Sequence, residues 1–114
     1  MDTRKVGVEE ELMLVDPDTG MLTAVAGRAL RAHEAGEGGE APVEPELFLQ
    51  MIESQTPPTT DVHEIADELR AGRRAMGEAA RAAGAASQAV GAPVLTDSES
   101  VVTPKPRYRR ILED

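Results

Sequence analysis

Cysteine and tryptophan are absent from this 114-residue chain, and its aromatic complement stops at one Phe and one Tyr. Without cysteine there is no disulfide, no thiolate catalysis and no Cys-based zinc site, which fits a reducing compartment. Without bulky aromatics, much of the 40% hydrophobic content is alanine, which buries little area per residue. A core stabilised at about 25 cal/mol per Å² of apolar burial is therefore thin. No apolar run approaches the roughly 18 residues that a transmembrane helix needs. Behind Met1-Asp2-Thr3-Arg4-Lys5 there is no apolar signal core, so the expectation is a cytoplasmic protein with no membrane partner. Positive charge is also scarce. Twelve Lys plus Arg against 21 Asp plus Glu leave a net charge of -9, which lacks the basic face that nucleic acid requires. Such a chain can still meet a polyanion if divalent cations bridge the two.

What is present divides into strand-like and helix-like stretches with no internal repeat, enough for one domain. From Lys5 to Asp16 the chain alternates: Val6, Val8, Leu12 and Leu14 share one side with Glu10 intruding, while Gly7, Glu9, Glu11, Met13 and Val15 share the other. Asp16-Pro17-Asp18-Thr19-Gly20 is turn chemistry, and Met21 to Val25 is expected to return as a hairpin partner. Gly27 to Pro45 has no clean period and reads as a loop, with a short helical turn around Ala29 to His33. Glu46 to Thr56 reads as a strand ended by Pro57-Pro58. Asp61 to Val90 reads as one long helix. Asp61 and Glu64 have capping-box spacing, a stripe runs through Ile65, Leu69, Met76, Ala80 and Ala83 to Val90, and Gly91 and Pro93 supply the stop. Val94-Leu95 and Val101-Val102 are short extended segments around a polar loop, and Arg107 to Leu112 begins a helix. The resulting β-β-loop-β-α-β-α order is α+β with a mainly antiparallel sheet.

The sharpest local feature is Gly7-Val8-Glu9-Glu10-Glu11-Leu12. On a strand, Glu9 and Glu11 present two carboxylates from one face, about 7 Å apart, beside a glycine that leaves room for a ligand. Mg²⁺ suits such a pair, because it takes oxygen ligands and completes its shell with water and phosphate. Three successive glutamates also describe a solvated strand edge. Glu53 lies in line with Leu47, Leu49 and Met51, where an ionised carboxylate needs a partner, a cation or an edge. Glu46 is ambiguous and could simply begin the strand. His33 and His63 have no partner at ligand spacing, and neither Ser54 nor the Ser98 and Ser100 pair has a base nearby in sequence. No GxxxxGK[ST] or GxGxxG stands in the chain, so a bound nucleotide is not held by a P-loop or a dinucleotide turn. Arg107, Arg109 and Arg110 form the only basic cluster in extended context, suited to phosphate or to a solvated helix start.

These residues resemble a known family. Gly7 to Leu12 followed by Val15-Asp16-Pro17-Asp18-Thr19-Gly20 is similar to the opening strand and turn of the type 2 glutamate–cysteine ligases, which are carboxylate–amine ligases. The block from Glu46 to Pro57, ending Ile52-Glu53-Ser54-Gln55-Thr56-Pro57, is similar to the family's second acidic strand, and Pro106-Arg107-Tyr108 to the motif after its helix. Ala92-Pro93 departs from the His-Pro that members often carry there. The resemblance implies a partial glutamine-synthetase-like antiparallel sheet with one long packed helix. It further implies that residues 1–114 are a single incomplete domain, the N-terminal segment of a catalytic domain of several hundred residues. It implies Mg²⁺ as cofactor, ATP, glutamate and an amine such as cysteine as substrates, and amide formation through an acyl-phosphate. Glu9, Glu11, Glu53 and, more weakly, Glu46 become the expected metal ligands, and Arg107 the expected nucleotide contact. The competing expectation is a non-catalytic fragment or interaction module that lacks ATP binding and self-associates through an exposed sheet edge.

Overall fold

The computed structural model describes residues 3–36, 38–93 and 101–113. Seven elements follow one another: β1 (Glu9–Val15), α1 (Ala26–Glu34), β2 (Glu44–Pro45), β3 (Met51–Gln55), α2 (Val62–Ala82), β4 (Ala86–Gln88) and α3 (Pro106–Glu113). The four strands form one antiparallel sheet in the order β2-β3-β1-β4. The α+β arrangement is therefore as expected, while several element boundaries are not.

Alternation on β1 and β3 decides which face is covered. Leu12 and Leu14 from β1 and Ile52 from β3 turn to the helix side and are buried against Ala26 and Ala29 of α1 and Met76, Ala79 and Ala80 of α2. This core is alanine-rich, as the composition requires, so the layers must approach closely. Gly72 of α2 shows how closely: a Cβ added there would lie 2.6 Å from Ser54 Oγ and 3.1 Å from Ser54 Cβ. Ser54 cannot turn away freely, because its hydroxyl donates to the Pro42 carbonyl at 2.6 Å.

Four boundaries differ from the sequence reading. The return stretch after β1 does pair back on it, but too briefly to count as a strand: Val15 bridges Leu22, with Asp16 N–H to Met21 O at 2.8 Å and Thr23 N–H to Leu14 O at 2.9 Å, while β3 pairs with β1 from Glu9 to Met13 and β4 with Met13 to Val15. The expected loop from Gly27 contains a nine-residue helix, α1, stabilised by burying Ala26 and Ala29 against α2. Regular strand in the second acidic block is limited to Met51–Gln55. The residues before it pair instead with the 101–103 segment, through Leu49 N–H to Val101 O at 2.7 Å and Thr103 N–H to Leu47 O at 2.8 Å. Finally, the long helix stops at Ala82 rather than at Val90. Gly84 adopts φ 78, its N–H reaches Arg81 O at 3.0 Å, and Ala85 N–H reaches Ala80 O at 2.9 Å, the paired bonds of a Schellman stop. The freed residues become β4. At the other end Asp61 caps through His63 N–H, while Glu64 accepts from Thr59 and not from Asp61. Val94-Leu95 and the polar loop that follows lie outside the described residues.

Two glycines of α2 supply a test. Gly72→Ala gains up to about 1 kcal/mol of helix propensity but overpacks against Ser54, and we expect a net loss of about 1–2 kcal/mol. Gly77→Ala, whose Cβ would find Ser87 Oγ at 3.9 Å, is expected to be neutral or to stabilise by up to about 1 kcal/mol. Urea unfolding of the two variants beside the parent chain measures both signs.

Candidate functional site

The face of the sheet opposite the helices carries the acidic residues. Cross-strand register sets Glu11 opposite Glu53, Glu53 opposite Glu44, and Glu9 opposite Gln55. Residues paired in this way point to the same side, so four carboxylates share one face. A fifth, Glu46, joins from the segment just after β2. Its Oε1 accepts from Leu47 N–H at 2.8 Å, and its own carbonyl accepts from the Thr103 hydroxyl at 2.5 Å. One oxygen each from Glu11, Glu46 and Glu53 lies within 4.8 Å of the others. Of the four expected ligands, the fold thus gathers three. Glu9 stays on the same face outside that trio, close enough for its charge to act on both Glu11 and Glu53.

Crowding of like charges appears in the proton affinities. Burial pushes the Glu53 carboxyl up to about 7, helped by its hydrogen bond to Glu46 and by repulsion from Glu46, Glu9 and Glu44. Glu11 is raised as well, first by its hydrogen bond to Glu46, then by burial and by the charges of Glu46 and Glu9. Glu46 moves the other way. Burial opposes its ionisation, but hydrogen bonds from Glu53, the Leu47 amide and Glu11, together with the charge of Arg107, hold it below the ordinary carboxylate value. Glu53 and Glu11 thus hold their protons more tightly, and Glu46 less tightly, than an ordinary glutamate. A donor set of carboxylate oxygens alone, with no sulfur or imidazole, fits a hard divalent cation such as Mg²⁺. Such a cation would offset the charge that the three carboxylates crowd together.

Arg107 opens α3. Its guanidinium stacks 4.6 Å from the centroid of the Tyr108 ring and donates to the Tyr108 hydroxyl at 2.9 Å. Tyr108 is itself buried while Arg107 stays exposed, and the Arg107 charge reaches Glu46 on the acidic face. Beside Glu9 opens a cleft of about 730 Å³ lined by Gly7 and Val8 on one side and by Pro42 and Gln55 to Pro58 on the other. His33 and His63 stand outside the trio.

Sequence reasoning missed Glu44. It falls in the stretch that reads as a loop, yet it pairs with Glu53 in register and accepts a hydrogen bond from Gln55 Nε2 at 3.0 Å. Its two-residue spacing from Glu46 is the signal that could have found it. No described helix is long and apolar enough to cross a membrane.

The model of glutamate–cysteine ligase family 2 matches residues 5–114. The chain is 39% identical over 117 residues to a protein of Nocardioides sp. that carries the provisional name glutamate–cysteine ligase 2-1, covering 96% of this chain and 31% of that one. It is 41% identical over 113 residues to a protein with the same provisional name from Nocardia farcinica, covering 99% and 29%. It is 40% identical over 110 residues to a glutamate–cysteine ligase 2, again a provisional name, from Salinispora tropica, covering 95% and 28%. The chain thus spans less than a third of the length of these relatives. No solved structure matches it significantly.

The raised carboxyls carry a pH prediction. A Glu53 carboxyl that holds its proton more tightly when folded contributes stability that is complete below the ordinary glutamate value of 4.5 and is lost as pH rises through about 7. Glu11 acts in the same sense, whereas the lowered groups Glu46 and Asp16 act below that window. Without divalent cation, the urea midpoint is expected to fall between pH 5 and pH 8, and Glu53→Gln to flatten that fall.

Proposed function

The chain belongs to glutamate–cysteine ligase family 2, and from that premise we propose that it carries the N-terminal metal half-site of an ATP-dependent carboxylate–amine ligase. The convergence of Glu11, Glu46 and Glu53 supports the reading best, because residues from two separate acidic blocks meet within 4.8 Å. The reaction is formation of a γ-glutamyl amide. The γ-carboxylate of glutamate receives a phosphoryl group from ATP, and an amine such as that of cysteine then displaces phosphate. A cytoplasmic setting goes with ATP as substrate.

Each residue has a part in this. Glu11, Glu46 and Glu53 hold Mg²⁺, with Glu9 completing the negative field on the side of the cleft and Glu44 adding charge behind Glu53. The bound cation supplies neutralisation of phosphate oxygens as charge develops on them. Arg107, stacked on Tyr108 and drawn toward Glu46, faces the phosphates as a fixed positive charge. Gly7 keeps the mouth of the cleft narrow yet open, since a Cβ there would meet Thr56 O at 3.3 Å.

The open outer edges of β2 and β4 favour a second reading, a scaffold without nucleotide binding that associates through them. Thermal unfolding with Mg²⁺ and ATP separates the two. A site bound at a hundredfold over its Kd adds about 2.7 kcal/mol, so the ligase reading expects Mg²⁺ with ATP to raise the midpoint and Glu53→Gln to abolish the rise. Glu9→Gln should reduce the rise without removing it. An unmoved midpoint in the parent chain would establish the scaffold reading, and Glu53→Gln would then stabilise only by relieving repulsion.

A further inference from the structure

Glu10 stands between the two open-face glutamates of β1 but turns to the opposite side, among the core-facing residues that include Leu12 and Leu14. There Arg73 of α2 donates from Nε to both of its carboxylate oxygens, at 2.7 and 3.0 Å. Glu10 is largely covered, its side chain only 17% exposed, while Arg73 is 60% exposed. Among the described residues this is the only ion pair between different elements. The other two, Arg70–Asp67 and Arg81–Glu78, lie within α2 at i,i+3 spacing.

Its position gives it a task. β4 pairs with β1 only at Met13, Leu14 and Val15, so the Glu9–Glu11 stretch has a strand neighbour on one side alone, β3. That stretch also faces like charge across the sheet at Glu53, which pushes the two strands apart. Farther along β1, buried Leu12 and Leu14 hold the strand to the helix layer. At Glu10 no apolar side chain does so, and the bond to Arg73 takes that role.

Resting on the metal reading above, we propose that Arg73 is a positioning residue: through Glu10 it clamps the Glu9–Glu11 end of β1 to α2 and so sets where Glu9 and Glu11 stand in the acidic cluster. Exposed ion pairs contribute little to global stability, so the clamp acts on local geometry. Removing partners that orient metal ligands typically lowers metal affinity about 10- to 100-fold.

Two readouts test this on the 114-residue chain, with Arg73→Ala, Glu10→Gln and the swap Glu10→Arg with Arg73→Glu. Amide exchange at Glu9 to Leu12 reads the clamp without any metal. Both single variants should speed it, the swap should restore it, and exchange in the α2 core at Ala79 and Ala80 should stay unchanged. Mn²⁺ affinity, followed by water-proton relaxation, should fall by at least about tenfold in the single variants and recover in the swap. Unchanged exchange at Glu9 to Leu12 overturns the proposal, and so does intact Mn²⁺ affinity in a variant whose exchange has risen. Equal loss of protection in the α2 core overturns it too, since the pair would then be a general stabiliser. If the parent chain binds no Mn²⁺, the metal reading fails on its own, and the exchange pattern still decides whether Arg73 positions the strand.

Discussion

The register between β1 and β3 is the constraint on which the rest depends. A strand has a period of two, so a slip of one residue would carry every side chain to the other face. With Leu12 opposite Ile52, the apolar residues meet the helices, and the same register forces Glu11 against Glu53, while the β2–β3 pairing brings Glu44 alongside. Opposed like charges destabilise a sheet, and burial of Leu14, Ile52 and Met76 on the far face offsets that cost. Site and core are thus two sides of one pairing. The close approach of α2 at Gly72 keeps the apolar side tight enough, despite an alanine-rich core, to hold the charged side in place.

Much of the candidate site was legible in the sequence because it rests on the shortest-range rule, alternation along a strand. Glu9 and Glu11 on one face and Glu53 in line with Met51 follow from spacing alone. The intruding Glu10 was visible as a break in an apolar pattern, but its partner was not, since Arg73 lies 63 residues away on a helix whose rotation about its axis only packing determines. Glu44 was hidden by a stretch rich in glycine and without period, where a two-residue strand forms only because β3 is there to pair with it.

The errors in the fold share a cause. Local pattern cannot say which neighbour wins a strand edge, so Met21 to Val25 reads as a full hairpin partner although β3 and β4 occupy most of β1 and leave it a short return at Val15 and Leu22. Nor could the stripe of small residues through α2 mark its own end, for Ser87 continues the helical period into what is strand β4. The stop lay at Gly84, whose positive φ allows the Schellman bonds, and not at the more obvious Gly91 and Pro93. In α1 the reverse occurred. Two buried alanines packed on α2 stabilise a helix in a stretch whose own pattern suggested only a turn, as tertiary burial outweighs weak local propensity. The 101–103 segment, read as extended from its valines alone, pairs with 47–49 and so places both Glu46 and the start of α3. That is how Arg107 comes to act on a carboxylate 61 positions before it.

The proposed site requires Glu11, Glu46 and Glu53 to hold one divalent cation together. Crystals of this chain grown with Mn²⁺ and measured at the manganese edge test it most directly. An anomalous peak is expected about 2.1 Å, a typical hard-cation distance, from one oxygen of each of the three carboxylates, lost in Glu53→Gln. A map with no peak among them, or with its peak elsewhere on the acidic surface, would contradict it.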